Sequence, residues 1–163
     1  MKPYKMQSIC VLVGILGLFC CRKGQNQIAP ENTYSELSTI QLIDIKTKWV
    51  SKSFQPFPPK LVVVPVIQFK VKNLTRELQQ LSFVAVFKFE GESENLGDCF
   101  LGGVTIKARR TSETIFLKSN FGVEGKSKEQ ILNHPNWKTV EAKVFIDHTL
   151  VGKYKIDRKI ELN

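Results

Sequence analysis

The sequence predicts an all-β domain: an antiparallel β-sandwich of about seven strands with one short helix. Three observations carry this. Apolar and polar residues alternate with period two in segment after segment. Successive strand side chains point to opposite faces, so each such segment has a dry and a wet side. Turn-forming residues separate most of the segments, and a single stretch carries a helix-start signal.

Taken in order, the first strand is IDIKTKW, with Ile43, Ile45, Thr47 and Trp49 on one side and Asp44, Lys46 and Lys48 on the other. Pro56, Pro58 and Pro59 then break the chain. The second strand contains LVVVPVIQFKVKN, in which Ile67, Phe69 and Val71 oppose Gln68, Lys70 and Lys72. Pro65 lies inside it and removes a backbone donor, so this strand is expected to be an edge or to bulge there. In LSFVAVFKF, Leu81, Phe83, Ala85, Phe87 and Phe89 line one side. Weaker strands follow over 99–107 and 114–120. Ser127-Lys128-Glu129-Gln130 before Ile131 and Leu132 has capping-box spacing, so a short helix starts there and ends near Pro135. In VEAKVFID, Val140, Ala142, Val144 and Ile146 oppose Glu141, Lys143, Phe145 and Asp147. The turn Asp147-His148-Thr149 leads to GKYKI, where Tyr154 and Ile156 oppose Lys153 and Lys155.

The N-terminal stretch has a different character. It carries Lys2 and Lys5, no acid before Glu31, and an uncharged run from Ile9 to Phe19. A bilayer core needs about 20 apolar residues, so this run is too short to span it and has the marks of a secretory signal peptide. The run closes on Cys20-Cys21 and resembles the lipobox of bacterial lipoproteins. With Cys21 as the lipid-modified residue, small Cys20 stands directly ahead and Leu18 three ahead. In the alternative register Cys20 is modified, with bulky Phe19 directly ahead. The resemblance implies removal of residues 1–20, acylation of Cys21, a polar tether over 21–36 and a folded domain over 37–163. Arg22, standing where an aspartate would retain the protein at the inner membrane, favours the outer membrane. Loss of Lys2 and Lys5 lowers the net charge from +9 to +7. A vicinal disulfide between Cys20 and Cys21 is disfavoured by disulfide geometry. A metal pair would need further ligands, and Cys10, Cys99, His134 and His148 show no such spacing. The sequon Asn73-Leu74-Thr75 allows a eukaryotic secreted protein instead. Cys99, among apolar neighbours, is expected to be buried.

The segment FKVKNLTRELQQLSFVAVFKFEGE resembles the strand, Asn, polar turn, strand, acidic-Gly turn unit of FxLYD-type bacterial domains. Asn73 matches the turn asparagine of that unit, and Phe87-Lys88-Phe89-Glu90-Gly91 stands at the Phe-x-Leu-Tyr-Asp position. Phe89 replaces the leucine and Glu90 the tyrosine. TSETIFLKSNFGVEGK and WKTVEAKVFIDHTLVGKYKI are similar to small lipoproteins of the Bacteroidetes type, of unknown role. The resemblance covers roughly Ile67 to Ile156 and implies an Ig-like sandwich on an exported protein. It brings no catalytic residue and no cofactor.

The residues themselves offer little chemistry. His134 lies in NHPNW and His148 in a turn, with neither a nucleophile elbow nor a Cys–His pairing, so no enzyme is expected. Two binding surfaces are candidates. Glu90, Glu92, Glu94 and Asp98 offer oxygen ligands for calcium in one acidic turn. Lys70, Lys72, Lys143, Lys153 and Lys155 alternate on wet faces and would attract anions if those faces coincide. The expectation is a lipid-anchored, non-catalytic binding module of the cell envelope. Its partners are membrane lipid through the acylated N-terminus and an envelope protein or anionic surface polymer. Nucleic acid is not expected, because no aromatic–basic interleaving is present. The alternative is a ligand- or calcium-binding lipoprotein using the acidic loop 90–98.

Overall fold

The computed structural model describes residues 38–54 and 60–161. The leader, Cys20, Cys21, the tether and the Pro56, Pro58, Pro59 break lie outside the described residues. The chain forms two sheets facing each other, as the alternation predicts. The first contains β1 (Ile40–Phe54), β2 (Lys60–Asn73), β5 (Ile115–Lys118), β6 (Val123–Gly125) and β9 (Ile160–Glu161). Its order is β5-β2-β1-β9, with β6 also on β2. The second contains β3 (Gln79–Phe89), β4 (Asn95–Ile106), β7 (Val140–Ile146) and β8 (Thr149–Ile156), in the order β4-β3-β7-β8. Pairing is antiparallel throughout, except that two-residue β9 joins β1 in parallel. The expected seven strands are all present; β6 and β9, of three and two residues, are too short to show a period.

The dry sides named by the sequence meet between the sheets. Ile67, Phe69 and Val71 of β2 face Phe83, Ala85 and Phe87 of β3, and Val140, Ala142, Val144 and Ile146 of β7 extend the same core. Full burial of each large apolar side chain contributes roughly 1.5–3 kcal/mol. Phe69 and Phe83 meet across the sheets at 5.7 Å between ring centroids. Trp49 of β1 meets Trp137 at 4.7 Å.

Three local features refine the period-two reading. In β1 the register slips between Ile43 and Lys46, and Asp44 takes a left-handed φ of 55°. This is a β-bulge: one extra residue on β1 rotates the strand. Ile45, Thr47 and Trp49 keep the inward side, but Ile43 pairs with outward Lys70, against the expected alternation. Pro65 sits in the interior strand β2 without cost to the ladder. β5 pairs with residues 66–69 and β6 with 61–63, so Pro65 falls in the gap between them. Its carbonyl faces that gap and accepts the Ser119 N–H at 3.1 Å. The missing donor would point the same way, so the strand behaves as an edge at that residue. Finally, Asp147 and His148 both have positive φ, 45° and 71°. They form the two-residue turn whose twist suits a hairpin between β7 and β8.

The helix α1 (Lys128–Leu132) starts where the capping pattern places it. The Ser127 hydroxyl accepts the Gln130 N–H, and the Gln130 amide oxygen accepts the Lys126 N–H one residue before the usual partner. Ile131 is the residue this turn buries. A second, smaller apolar cluster lies on the outer face of the first sheet, where Val62, Val64 and Val66 pack with Val50.

Candidate functional site

Strand register orders the outer face of the second sheet into rows. Cross-strand partners share a face, so the pairing scheme lists neighbours directly. One row runs Phe100, Val84, Phe145, Leu150 across β4, β3, β7 and β8. The next runs Asp98, Val86, Lys143, Lys153, and the third Asn95, Lys88, Glu141, Lys155. An apolar row crossing the whole sheet is thus followed, on one side, by two successive rows that each hold two lysines. Phe100 is 70% exposed, and Val84, Phe145 and Leu150 are half-buried.

The structure therefore divides the five lysines. Lys143, Lys153 and Lys155 share this face. Lys70 and Lys72 lie on β2 in the opposing sheet and face away from it. The single patch that coinciding faces would have made is two separate surfaces. Lys143 and Lys153 are direct cross-strand partners. Lys143 also lies 3.9 Å from Glu141, and Lys155 lies 3.2 Å from Glu90. Lys70 pairs with Asp44 of the bulge at 3.0 Å. For Lys153 there is no carboxylate partner among the described residues, which leaves it a free cation in the centre row.

The acidic run is spread out. Glu90 reaches Lys155, and Glu92 reaches Lys138 at 2.6 Å. Glu94 stands exposed before β4, and Asp98 lies on the strand itself, opposite Val86. No three His, Cys, Asp or Glu side chains converge as a metal site among the described residues. Cys99 is half-buried, packs on the core beside Ala85, and is a free thiol.

His134 remains at the surface, its Nδ1 accepting the Asn136 N–H at 3.1 Å, while Trp137 turns inward onto Trp49. His134 and Asn133 border a shallow open concavity with Glu124, Ser127, Glu129 and Gln130. Asn73 is completely buried. Its Nδ2 donates to the carbonyls of Glu77, Ile106 and Lys107, and its Oδ1 accepts from the Thr75 N–H and hydroxyl. It ties the β2–β3 turn to the end of β4. A side chain so enclosed offers no amide for a glycan in the folded protein.

Phe145 was legible as a wet-side aromatic in the alternation of VEAKVFID. Phe100, Val84 and Leu150 were not, because only register brings them into line with it.

No family model matches the chain. Over 90 residues the chain is 33% identical to enterotoxin type H of Staphylococcus aureus, a match covering 53% of this chain and 36% of the toxin. The chain thus spans about a third of that relative's length. Among solved structures, a protein from Archaeoglobus fulgidus matches 71% of this chain and 92% of its own, at 16% identity and a TM-score of 0.34. That likeness is too distant to carry an argument about fold or role.

Proposed function

We propose that this chain is a non-catalytic binding module of the bacterial cell envelope, tethered by lipid on Cys21 (or, in the other register, Cys20). It docks an acidic envelope protein or an anionic surface polymer on the outer face of its second sheet. The observation that carries the docking surface is the row order: the apolar row of Phe100, Val84, Phe145 and Leu150, with Lys143, Lys153 and Lys155 along one side of it. An apolar strip with charged residues beside it combines the apolar contact and the polar margin that protein-binding surfaces use. Lysines along that margin speed encounter with acidic partners and set orientation. The lipid anchor rests on the leader's charge, length and cysteine, and three acyl chains would hold the protein to a membrane without help from basic residues. The sandwich resembling FxLYD-type domains suits a rigid presenting scaffold.

Two measurements test this. The N-terminal peptide of protein extracted from membranes is fragmented in a mass spectrometer. Diacylglycerol on Cys21 with residues 1–20 missing is expected; an unmodified cysteine overturns the anchor. Retention on immobilised polyglutamate is then compared for Lys143→Glu/Lys153→Glu and Lys70→Glu/Lys72→Glu. The first pair is expected to lose retention and the second to keep most of it. Equal losses would mean that net charge alone acts, and the assigned face would fall.

A further inference from the structure

The second sheet ends in an edge unlike the other edges of the sandwich. Natural sheet edges are kept from pairing by shortness, by lysine or by proline. In the first sheet, β5, β6 and β9 have four, three and two residues, and β1, which β9 covers only at Trp49 and Val50, carries Lys46, Lys48, Lys52 and a bulge. At the far edge of the second sheet, β8 carries Lys153 and Lys155. The remaining edge, β4, has twelve residues, NLGDCFLGGVTI, with no lysine, arginine or proline. Among the described residues it pairs with β3 alone, so its other side presents unpaired backbone donors and acceptors. Its protective devices are two bulges: one at Gly102-Gly103, where the register slips against β3 and Gly103 takes a φ of 70°, and one at Leu96, where the register slips again.

Exposed apolar surface gathers at the same edge. Six large apolar side chains are exposed among the described residues, and four of them lie here. Phe100 and Leu101 are on β4. Phe116 is on β5, the neighbouring edge of the first sheet. Phe121 lies against Gly97 of β4.

Charge along this edge is polar in the literal sense. Glu94 and Asp98 stand at the start of β4, after Glu90 and Glu92, which pair with Lys155 and Lys138, and Lys107, Arg109 and Arg110 stand just past its end. Except for half-buried Glu92, all are exposed. A strand acidic at one end and basic at the other complements an antiparallel copy of itself. We propose that a second copy of this chain pairs antiparallel along the open edge of β4, with Phe100 at the two-fold axis.

A two-fold perpendicular to the sheet keeps outward side chains outward, so a residue must stand opposite itself on the axis. With Phe100 there, Asp98 faces Gly102 of the second copy and Cys99 faces Leu101. No like charges meet. The acidic turn of each copy lies along the Lys107–Arg110 turn of the other. The bulges at Leu96 and Gly102-Gly103 confine regular pairing to the centre, Asp98 to Gly102, and the flanks add electrostatic register. The two outer faces then join into one surface with the apolar row running across both. This pairing is separate from the proposed docking of an acidic partner, which uses Lys143 and Lys153.

The test is sedimentation of the full chain over a dilution series, with charge-reversed variants. Wild type is expected to dimerise. Lys107→Glu/Arg109→Glu/Arg110→Glu, and separately Glu94→Lys/Asp98→Lys, should each raise the dissociation constant by about tenfold or more, since several flank charges act together. Mixing the two variants should restore dimer, because acidic flanks then meet basic ones at both ends. Leu101→Cys should form disulfides to Cys99 of the other copy on mild oxidation. Thermal melts of each variant separate misfolding from lost pairing. A wild type that stays monomeric, or a dimer indifferent to both reversals with no recovery on mixing, overturns the proposal.

Discussion

At the scale of single residues, two buried polar groups carry the sharpest expectations. Asn73 makes contacts that no other side chain can reproduce, since its two Nδ2 hydrogens are shared among three carbonyls while its Oδ1 accepts from Thr75. Asn73→Ala leaves buried carbonyls without a donor, which costs roughly 1–3 kcal/mol for each unsatisfied group. Asn73→Asp should be nearly as damaging, because a carboxylate accepts but cannot donate. Urea titration of both variants checks this, with a midpoint loss expected for each. Trp49 is the opposite case. It is fully buried, yet its indole Nε1 has no hydrogen-bond partner among the described residues. Trp49→Phe removes that unpaired donor together with some volume, and the two effects oppose each other. Trp49→Ala empties the contact with Trp137 and should cost about 3–5 kcal/mol. A melting series in which Phe is far milder than Ala is the expected outcome. The sequence pointed to Asn73 through the resemblance of its turn. It held no sign that Trp49 would lack a partner, because that depends on what the fold brings near it.

Elements were legible wherever alternation ran without interruption. The core sides of β2, β3 and β7 follow the period, since a residue on the wrong side would bury a charge. The bulge in β1 was not legible. Asp44 reads as an ordinary wet-side residue, and nothing in IDIKTKW announces that Ile43 and Ile45 point opposite ways. The bulge depends on a left-handed Asp44, and aspartate tolerates that conformation better than most residues. Asp44→Gly should therefore be neutral or slightly stabilising, since the exposed pair with Lys70 contributes little. Asp44→Val should destabilise by roughly 1–2 kcal/mol, the cost of a β-branched residue at positive φ. Chemical denaturation of the two variants measures the difference. A Val variant as stable as Gly would mean that the bulge had moved. Pro65 illustrates the same gap between levels. Its local chemistry demanded an open side, and only the arrangement of β5 and β6 shows that an interior strand can provide one.

Across the whole molecule, the division of the basic residues into two surfaces was beyond the sequence, because strand order decides it. Lys70 and Lys143 look alike as wet-side lysines, but one belongs to each sheet. The same register places Lys143 and Lys153 directly opposite each other. Like charges in that position destabilise an antiparallel pair by a few tenths of a kcal/mol up to about 1 kcal/mol. A lysine serving solubility alone would do so equally well at a position without that penalty. Under the proposed docking role, the pair trades folding stability for anion attraction. Lys153→Glu separates the two roles. It replaces repulsion with an ion pair across the strands, so the melting temperature should rise at low salt and the gain should shrink as salt screens it. Retention on immobilised polyglutamate should fall in the same variant. Higher stability together with weaker retention is the outcome that ties the lysine row to binding. Lower stability would contradict the cross-strand register, and unchanged retention would remove Lys153 from the docking face.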